Sequence, residues 1–285
     1  MSSKYAFQVS QHEHFYKYPE EYYVTPFRIF ANLYFVGNKD VGSYLFDTEE
    51  GLILIDTTYP TSRAQMIQSI WEAGFNPRNI RYILHTHGHF DHFGTTKFLQ
   101  SLSGAKTFLG EEDANMFHTR PELALIEDSR YSYLDLFEPD VLLKDGDVIQ
   151  LGSTKIRAVS TPGHTLGVFS YFVELTEGDK THLAGLYGGI GLNTLCGDSI
   201  AKFGTEHWRD FYLASLKKVR KEPVDIVLGN HTAQSHTLEK YEQMKKEPTG
   251  PNPFIDPMEW TQFLDHTEAR YFHMLAEEQA GTDQI

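Results

Sequence analysis

Short apolar runs alternate with stretches of helical spacing along most of this chain, and several of the runs end abruptly in polar residues. Phe27 to Val36 and Gly42 to Phe46 alternate or run apolar, which predicts the opening strands of a sheet with Asn38-Lys-Asp as a turn. Ile53 to Ile55 predicts a buried strand that ends at Asp56. An aspartate closing an apolar run is costly unless it is paired, so Asp56 is expected beneath a neighbouring polar loop, accepting backbone or imidazole hydrogen bonds. Ser62 to Ala73 has helical spacing in Ala64, Ile67, Ile70 and Trp71, and Gly74 stops it. Ile80 to Leu84 predicts a second buried strand, Thr95 to Leu102 a helix and Ala105 to Leu109 a short strand. This succession gives βαβ units and a mixed sheet covered by helices.

Residues 110–139 carry the least regular pattern, with Met116, Phe117, Tyr131, Tyr133 and Phe137 as packing aromatics or a pocket wall. Val141 to Leu151, with Asp145-Gly-Asp at its centre, predicts a hairpin, and Lys155 to Ser160 and Val168 to Leu175 predict strands of a second sheet. The strand before Gly188-Gly189 leads into a glycine-rich loop. Glu206 to Val219 predicts a helix, Asp225 to Leu228 a buried strand, and Met258 to about Ala276 an amphipathic helix. Residues 1–26 are polar and aromatic, include His12 and His14, and predict an arm on a single domain of residues 27–285.

The chemistry concentrates where the strand at Ile80–Leu84 ends. His85, His87, His89, Asp91 and His92 follow within eight residues, four of the chain's 14 histidines. Imidazole and carboxylate are ligands that zinc and similar divalent ions prefer. Residues two apart on an extended segment share a face, so His87 and His89 can grip one ion, while the turn at Asp91–His92 aims the next pair at a second. His85, at the strand end, is expected to support the site rather than ligate. Two further histidines stand in tight turns at strand ends, His164 in Thr161-Pro-Gly-His and His231 in Gly229-Asn-His. His118 and His236 read as surface histidines.

Composition narrows the function class. At 285 residues, 40% hydrophobic, the chain can bury a sizeable core, and its apolar runs are too short to span a bilayer. The formal charge of −14 disfavours nucleic acid and anionic membrane as partners and leaves a small-molecule substrate as the expectation. A single cysteine, Cys196, excludes an internal disulfide. The start Met1-Ser-Ser-Lys-Tyr lacks a secretory pattern, so a cytoplasmic location is expected. Oligomeric state is left open.

The motif H-x-H-x-D-H after an apolar strand, with Asp56, His164 and His231 in order, resembles the signature of the metallo-β-lactamase superfamily over about residues 27–275. The resemblance implies an α/β fold, a four-layer αβ/βα sandwich of two mixed β-sheets flanked by helices with metals at one edge. It implies two zinc ions per chain, His87, His89 and His164 on the first and Asp91, His92 and His231 on the second. Asp91 would also orient a hydroxide shared by the metals, and the reaction would open an amide, lactam, lactone or ester bond. Asp56 and His85 would support the ligands, and Tyr59 or Tyr187 would donate a hydrogen bond to the oxyanion.

Many relatives end the strand before Gly188-Gly189 with an aspartate that bridges both metals; here no aspartate stands there, and Asp198 lies beyond an extra loop. Lack of a bridge, together with Pro251-Asn-Pro and the helix after it, is similar to the third zinc subclass of class B β-lactamases. That group carries serines where this chain has Ile190, Gly191 and Leu192. β-Lactamase activity therefore stands beside a lactonase or thioesterase acting on a non-antibiotic substrate. An oxidative di-iron enzyme, which would need a carboxylate bridge and a flavin domain, and a non-catalytic metal-binding homologue are the remaining readings.

Overall fold

A computed structural model describes residues 4–5, 14–15, 17–126 and 136–282. The first sheet comprises β1 (Phe27–Phe30), β2 (Leu33–Phe35), β3 (Tyr44–Asp47), β4 (Leu52–Ile55), β5 (Ile80–Leu84), β6 (Lys106–Gly110) and β7 (Val141–Leu143), in that spatial order. Its first four strands are antiparallel and β4 to β7 are parallel. The second sheet has the order β12 (Ile226–Gly229), β11 (Lys180–Tyr187), β10 (Phe169–Glu177), β9 (Thr154–Ser160), β8 (Val148–Leu151), antiparallel except for the β11–β12 pair. Two mixed sheets flanked by helices form the expected αβ/βα sandwich.

Period-two alternation builds the layers. Tyr44, Phe46, Ile53 and Ile55 of the first sheet face Tyr171, Val173, Leu186 and Leu228 of the second and share one buried core. The opposite residues, Leu45, Leu52 and Leu54, pack with Met66 and Ile70 of α1 (Arg63–Glu72) and Leu99 of α3 (Thr96–Ser103). On the far side, Phe172 and Tyr187 pack under α6 (Trp208–Val219) and α8 (Glu259–Thr282), against Tyr212, Trp260 and Phe263. Further helices are α2 (Phe90–Phe93), α4 (Glu111–Thr119), α5 (Gly197–Phe203) and α7 (Thr237–Lys246).

Three expectations are corrected. Val141–Leu151 is not a hairpin: β7 pairs in parallel with β6, β8 pairs with β9, and the Asp145-Gly-Asp turn carries the chain from one sheet to the other. The buried face of α1 is Met66, Ser69 and Ile70, whereas Trp71 is 62% exposed and Ala64 is exposed. Residues 110–139 contain the regular helix α4, whose Met116 and Phe117 pack with Phe137; Tyr131 and Tyr133 lie outside the described residues.

The strand ends position the site. β4, β5, β11 and β12 all finish at one edge of the sandwich, where Asp56, His85–His92, Gly188 and His231 follow them, and the turn after β9 brings His164 there. The β2–β3 turn is clamped to that edge: Gly42 N donates to Asn230 O at 2.9 Å, and a Cβ at Gly42 would lie 2.3 Å from Gly229 O. This close approach, open only to glycine, sets Asp40 next to His231.

Candidate metal centre

Two groups of donors meet at this edge. One potential ligand atom each of His87, His89 and His164 lies within 4.8 Å of the others, and the same holds for Asp91, His92 and His231. The imidazole rings of His87 and His164 are 4.7 Å apart and those of His89 and His164 are 4.6 Å apart. His87 Nε2 faces His89 Nδ1 at 3.0 Å, while Asp91 Oδ2 stands 3.4 Å from both His92 Nε2 and His231 Nε2. The groups share no residue, in keeping with the missing aspartate after β11.

Four of the five imidazoles, those of His87, His92, His164 and His231, are held from behind, and this selects the nitrogen that faces inward; His89 Nε2 is buried with no hydrogen-bond partner among the described residues. His92 Nδ1 donates to Asp56 Oδ2 at 2.8 Å. Thr86 donates to the same carboxylate through its backbone N and its hydroxyl, both at 2.8 Å, and the hydroxyl accepts from His87 Nδ1 at 3.0 Å. Asp56 thus lies buried under the loop as expected, with φ of 57°, a left-handed conformation that aspartate tolerates. His164 Nδ1 donates to Gly191 O at 2.8 Å, and Thr194 Oγ1 donates to His164 O at 2.6 Å. His231 Nδ1 donates to Asp40 Oδ1 at 3.2 Å, and Tyr59 donates to the other oxygen of Asp40 at 2.6 Å.

The electrostatics of the two groups differ. Burial, reinforced by neighbouring imidazoles, holds His87 and His89 well below the usual histidine range, and burial lowers His164 to about 4 despite the Gly191 carbonyl. These three are neutral donors with lone pairs available to a cation. Burial opposes charge on His92 as well, but Asp91 and Asp56 outweigh it and raise it to about 9; Asp40 and Asp91 raise His231 to about 10 against burial. Asp91, which burial alone would push up, is held well below the usual carboxylate range by His92 and His231. A cation placed among these groups would take over the role of the imidazole protons.

The other sequence candidates fall outside the two groups. His85 is buried and turned away, with Nδ1 donating to Phe108 O at 2.8 Å and Nε2 accepting from Thr96 Oγ1 at 2.7 Å. The resemblance implies Tyr59 or Tyr187 as the oxyanion donor. The hydroxyl of Tyr59 is instead engaged with Asp40, and Tyr187 projects from β11 into the helix layer beside Phe263. Asp198 is exposed in the first turn of α5. His118 pairs with Glu138 at the surface, His14 with Glu21, and His236 is exposed; His12 lies outside the described residues.

Two carboxylates escaped the sequence reading. Asp40 looked like part of a turn. Asp113 falls in the stretch of least regular pattern; it is one of three acids in the first turn of α4, and it is fully buried. It accepts from Gly88 N at 2.7 Å, Thr165 Oγ1 at 2.7 Å and Gly167 N at 2.8 Å, joining the His87–His89 loop to the His164 loop.

Residues 37–177 match the metallo-beta-lactamase superfamily. A probable metallo-hydrolase of Burkholderia pseudomallei is 30% identical over 156 residues, covering 48% of each chain, and the hydroxyacylglutathione hydrolase GloC of Haemophilus influenzae is 29% identical over 153 residues, covering 52% of this chain and 68% of that one. The chain thus spans about half the length of the first of these relatives. In three dimensions it is similar to BJP-1, a subclass B3 metallo-beta-lactamase of Bradyrhizobium japonicum, with a TM-score of 0.80 and 28% identity over 92% of this chain and 97% of that one.

Proposed function

From the premise that the chain carries a metallo-beta-lactamase superfamily domain, we propose that it is a metal-dependent hydrolase whose two donor groups hold a pair of zinc ions and whose substrate is a small amide, lactone, thioester or other ester. One observation carries the reading. His89 Nε2 and His92 Nε2, one in each donor group, are both buried without a hydrogen-bond partner among the described residues, and the Asp91 carboxylate stands 3.4 Å from the second. An orphaned buried nitrogen beside a carboxylate and a second imidazole is costly in a protein alone and is the arrangement a cation stabilises. The all-imidazole group and the imidazole–carboxylate group both suit zinc.

His87, His89 and His164 would hold one ion and Asp91, His92 and His231 the other, with three protein ligands each, which leaves positions open for catalysis. When bound, the ions supply Lewis acidity and make hydroxide available near neutral pH. The chain supplies the rest. Asp56, Asp40 and the Gly191 carbonyl fix the ring orientations before substrate arrives, and Asp91, the one carboxylate among the six donors, would be the group to orient the hydroxide and accept its proton. Tyr59 acts through Asp40 as a positioning residue.

A β-lactam is the less favoured substrate, because Ile190, Gly191 and Leu192 offer no polar side chain where a β-lactam carboxylate would need one. A lactone or thioester reading agrees with the hydroxyacylglutathione hydrolase among the relatives. The test is elemental analysis paired with hydrolysis of nitrocefin, an acyl-homoserine lactone and S-lactoylglutathione. About two zinc per chain are expected, with turnover of at least one ester substrate that falls by roughly a thousandfold in His87→Ala. Turnover that survives in that variant, or a protein that retains no zinc, would overturn the reading.

A further inference from the structure

Outside the two donor groups, a groove of about 450 Å³ lies between the loop after β11, the turn after His231 and α8. Its walls include Gly191, Gln234, His236, Gln262, His266 and Arg270. The α8 residues recur at spacings of three and four, so one face of the helix forms a wall. Arg270 is half-buried, and among the described residues no carboxylate stands within ion-pair distance of it. The one acid on the walls, Glu259, is gripped by Lys240 at 2.5 and 2.6 Å and does not compensate it. A partly desolvated guanidinium with no counter-charge, in a chain of formal charge −14, is an expensive feature unless an anion arrives to meet it.

The groove adjoins the metal centre through the segments that hold it. Gly191 takes the His164 hydrogen bond, and a Cβ there would lie 2.6 Å from His164 Cε1. Gln234 accepts from the backbone N of His231 through Oε1 at 3.3 Å, which leaves its amide N–H groups for other acceptors. One ligand of each donor group therefore backs onto the same groove.

We propose that this groove receives a carboxylate carried by the substrate, with Arg270 as the residue that selects for it, so that the substrate is an acyl compound with a free carboxylate on the portion remote from the bond that breaks. The proposal rests on the hydrolase reading for the reaction but not for the binding. Arg270 is a specificity residue; it takes no part in bond breaking.

Two measurements on the full zinc-loaded chain test it. Glutarate binding, followed by calorimetry, is expected to weaken by at least about tenfold in Arg270→Gln and to recover in part in Arg270→Lys. Glutarate that binds wild type and Arg270→Gln alike, or does not bind wild type, overturns the proposal. Mono-4-nitrophenyl glutarate is then compared with 4-nitrophenyl valerate, which lacks the charge. The wild type is expected to prefer the charged ester, and Arg270→Gln to reduce that preference in kcat/KM by about tenfold, through KM. A preference unaltered by the substitution also overturns it. If wild type cleaves neither ester, the hydrolase reading fails, and the glutarate comparison decides the groove by itself.

Discussion

Asp40 illustrates how much of a candidate metal site lies directly behind its donors. Its carboxylate takes the Nδ1 proton of His231 through one oxygen and the Tyr59 hydroxyl through the other, so two residues from separate segments set one imidazole. Removing such a support leaves the ligand present but free to rotate and to change tautomer. Asp40→Ala is therefore expected to weaken zinc at the Asp91–His92–His231 group by about ten- to a hundredfold, with a smaller loss in Tyr59→Phe. Competition with a chromogenic chelator reads this directly; two sites of unchanged affinity in Asp40→Ala would refute it. Tyr59 is expected at the site from the resemblance, in another role, whereas nothing in the sequence singles out Asp40. Asp40 stands in a turn-forming Asn-Lys-Asp, and only the β2–β3 clamp onto Asn230 reveals what it faces. His87, His89, Asp91 and His92 were legible because their spacing is a local property of one loop.

At the scale of elements, the strands were legible wherever burial is decided by nearby residues, as in β4 and β5, and illegible where a distant partner decides. β7 and β8 are joined by a turn that looks like a hairpin, but each pairs with a strand elsewhere. The exposed Trp71 misled for a related reason: helical spacing identifies a face, and the neighbouring sheet chooses which one. Asp113 is the most consequential case. It stands on α4, which the pattern did not predict, and ties two loops that bear His87, His89 and His164. Burial is the main influence on its carboxyl and pushes it up to about 6, against the pull of three donors. The folded protein thus holds this proton more tightly than the unfolded chain. Its contribution to stability is complete below about pH 4 and is lost as the pH rises to about 6, a change of roughly 3 kcal/mol. Denaturation of wild type and Asp113→Asn between pH 4 and 7 is expected to give a difference in stability that varies with pH across that window and is level above it; a difference constant throughout would show that Asp113 does not titrate there. Asp113→Ala, which leaves three buried donors without their acceptor, is expected to cost about 3 kcal/mol or more at neutral pH.

For the whole molecule, the two sheets meet at an edge crowded with buried polar groups, of which the imidazole–carboxylate group pairs internally and the all-imidazole group has no opposite charge of its own. Asp40, Asp56 and Asp91 crowd around His92 and His231, while His87, His89 and His164 turn lone pairs toward one point. Segments from β2–β3, β4, β5, β9–β10, β11 and β12 all end there, so the edge is also where the two sheets are tied together. A ligand that binds the assembled edge and not the unfolded chain stabilises by mass action, by about 4 kcal/mol at a free concentration a thousand times its dissociation constant. Zinc removal with a chelator is accordingly expected to lower the unfolding free energy by that order, read as a lower midpoint in denaturant, and to leave most far-UV circular dichroism intact, because the inter-sheet core contains none of the six donors. His164→Ala should show a smaller zinc-dependent shift than wild type, since it removes one donor from the all-imidazole group and the hydrogen bond to Gly191 O, while the Thr194 bond to the backbone carbonyl of residue 164 remains. Equal midpoints with and without zinc in the wild type would mean that no metal uses this edge, and both donor groups would then be buried polar clusters in need of another explanation.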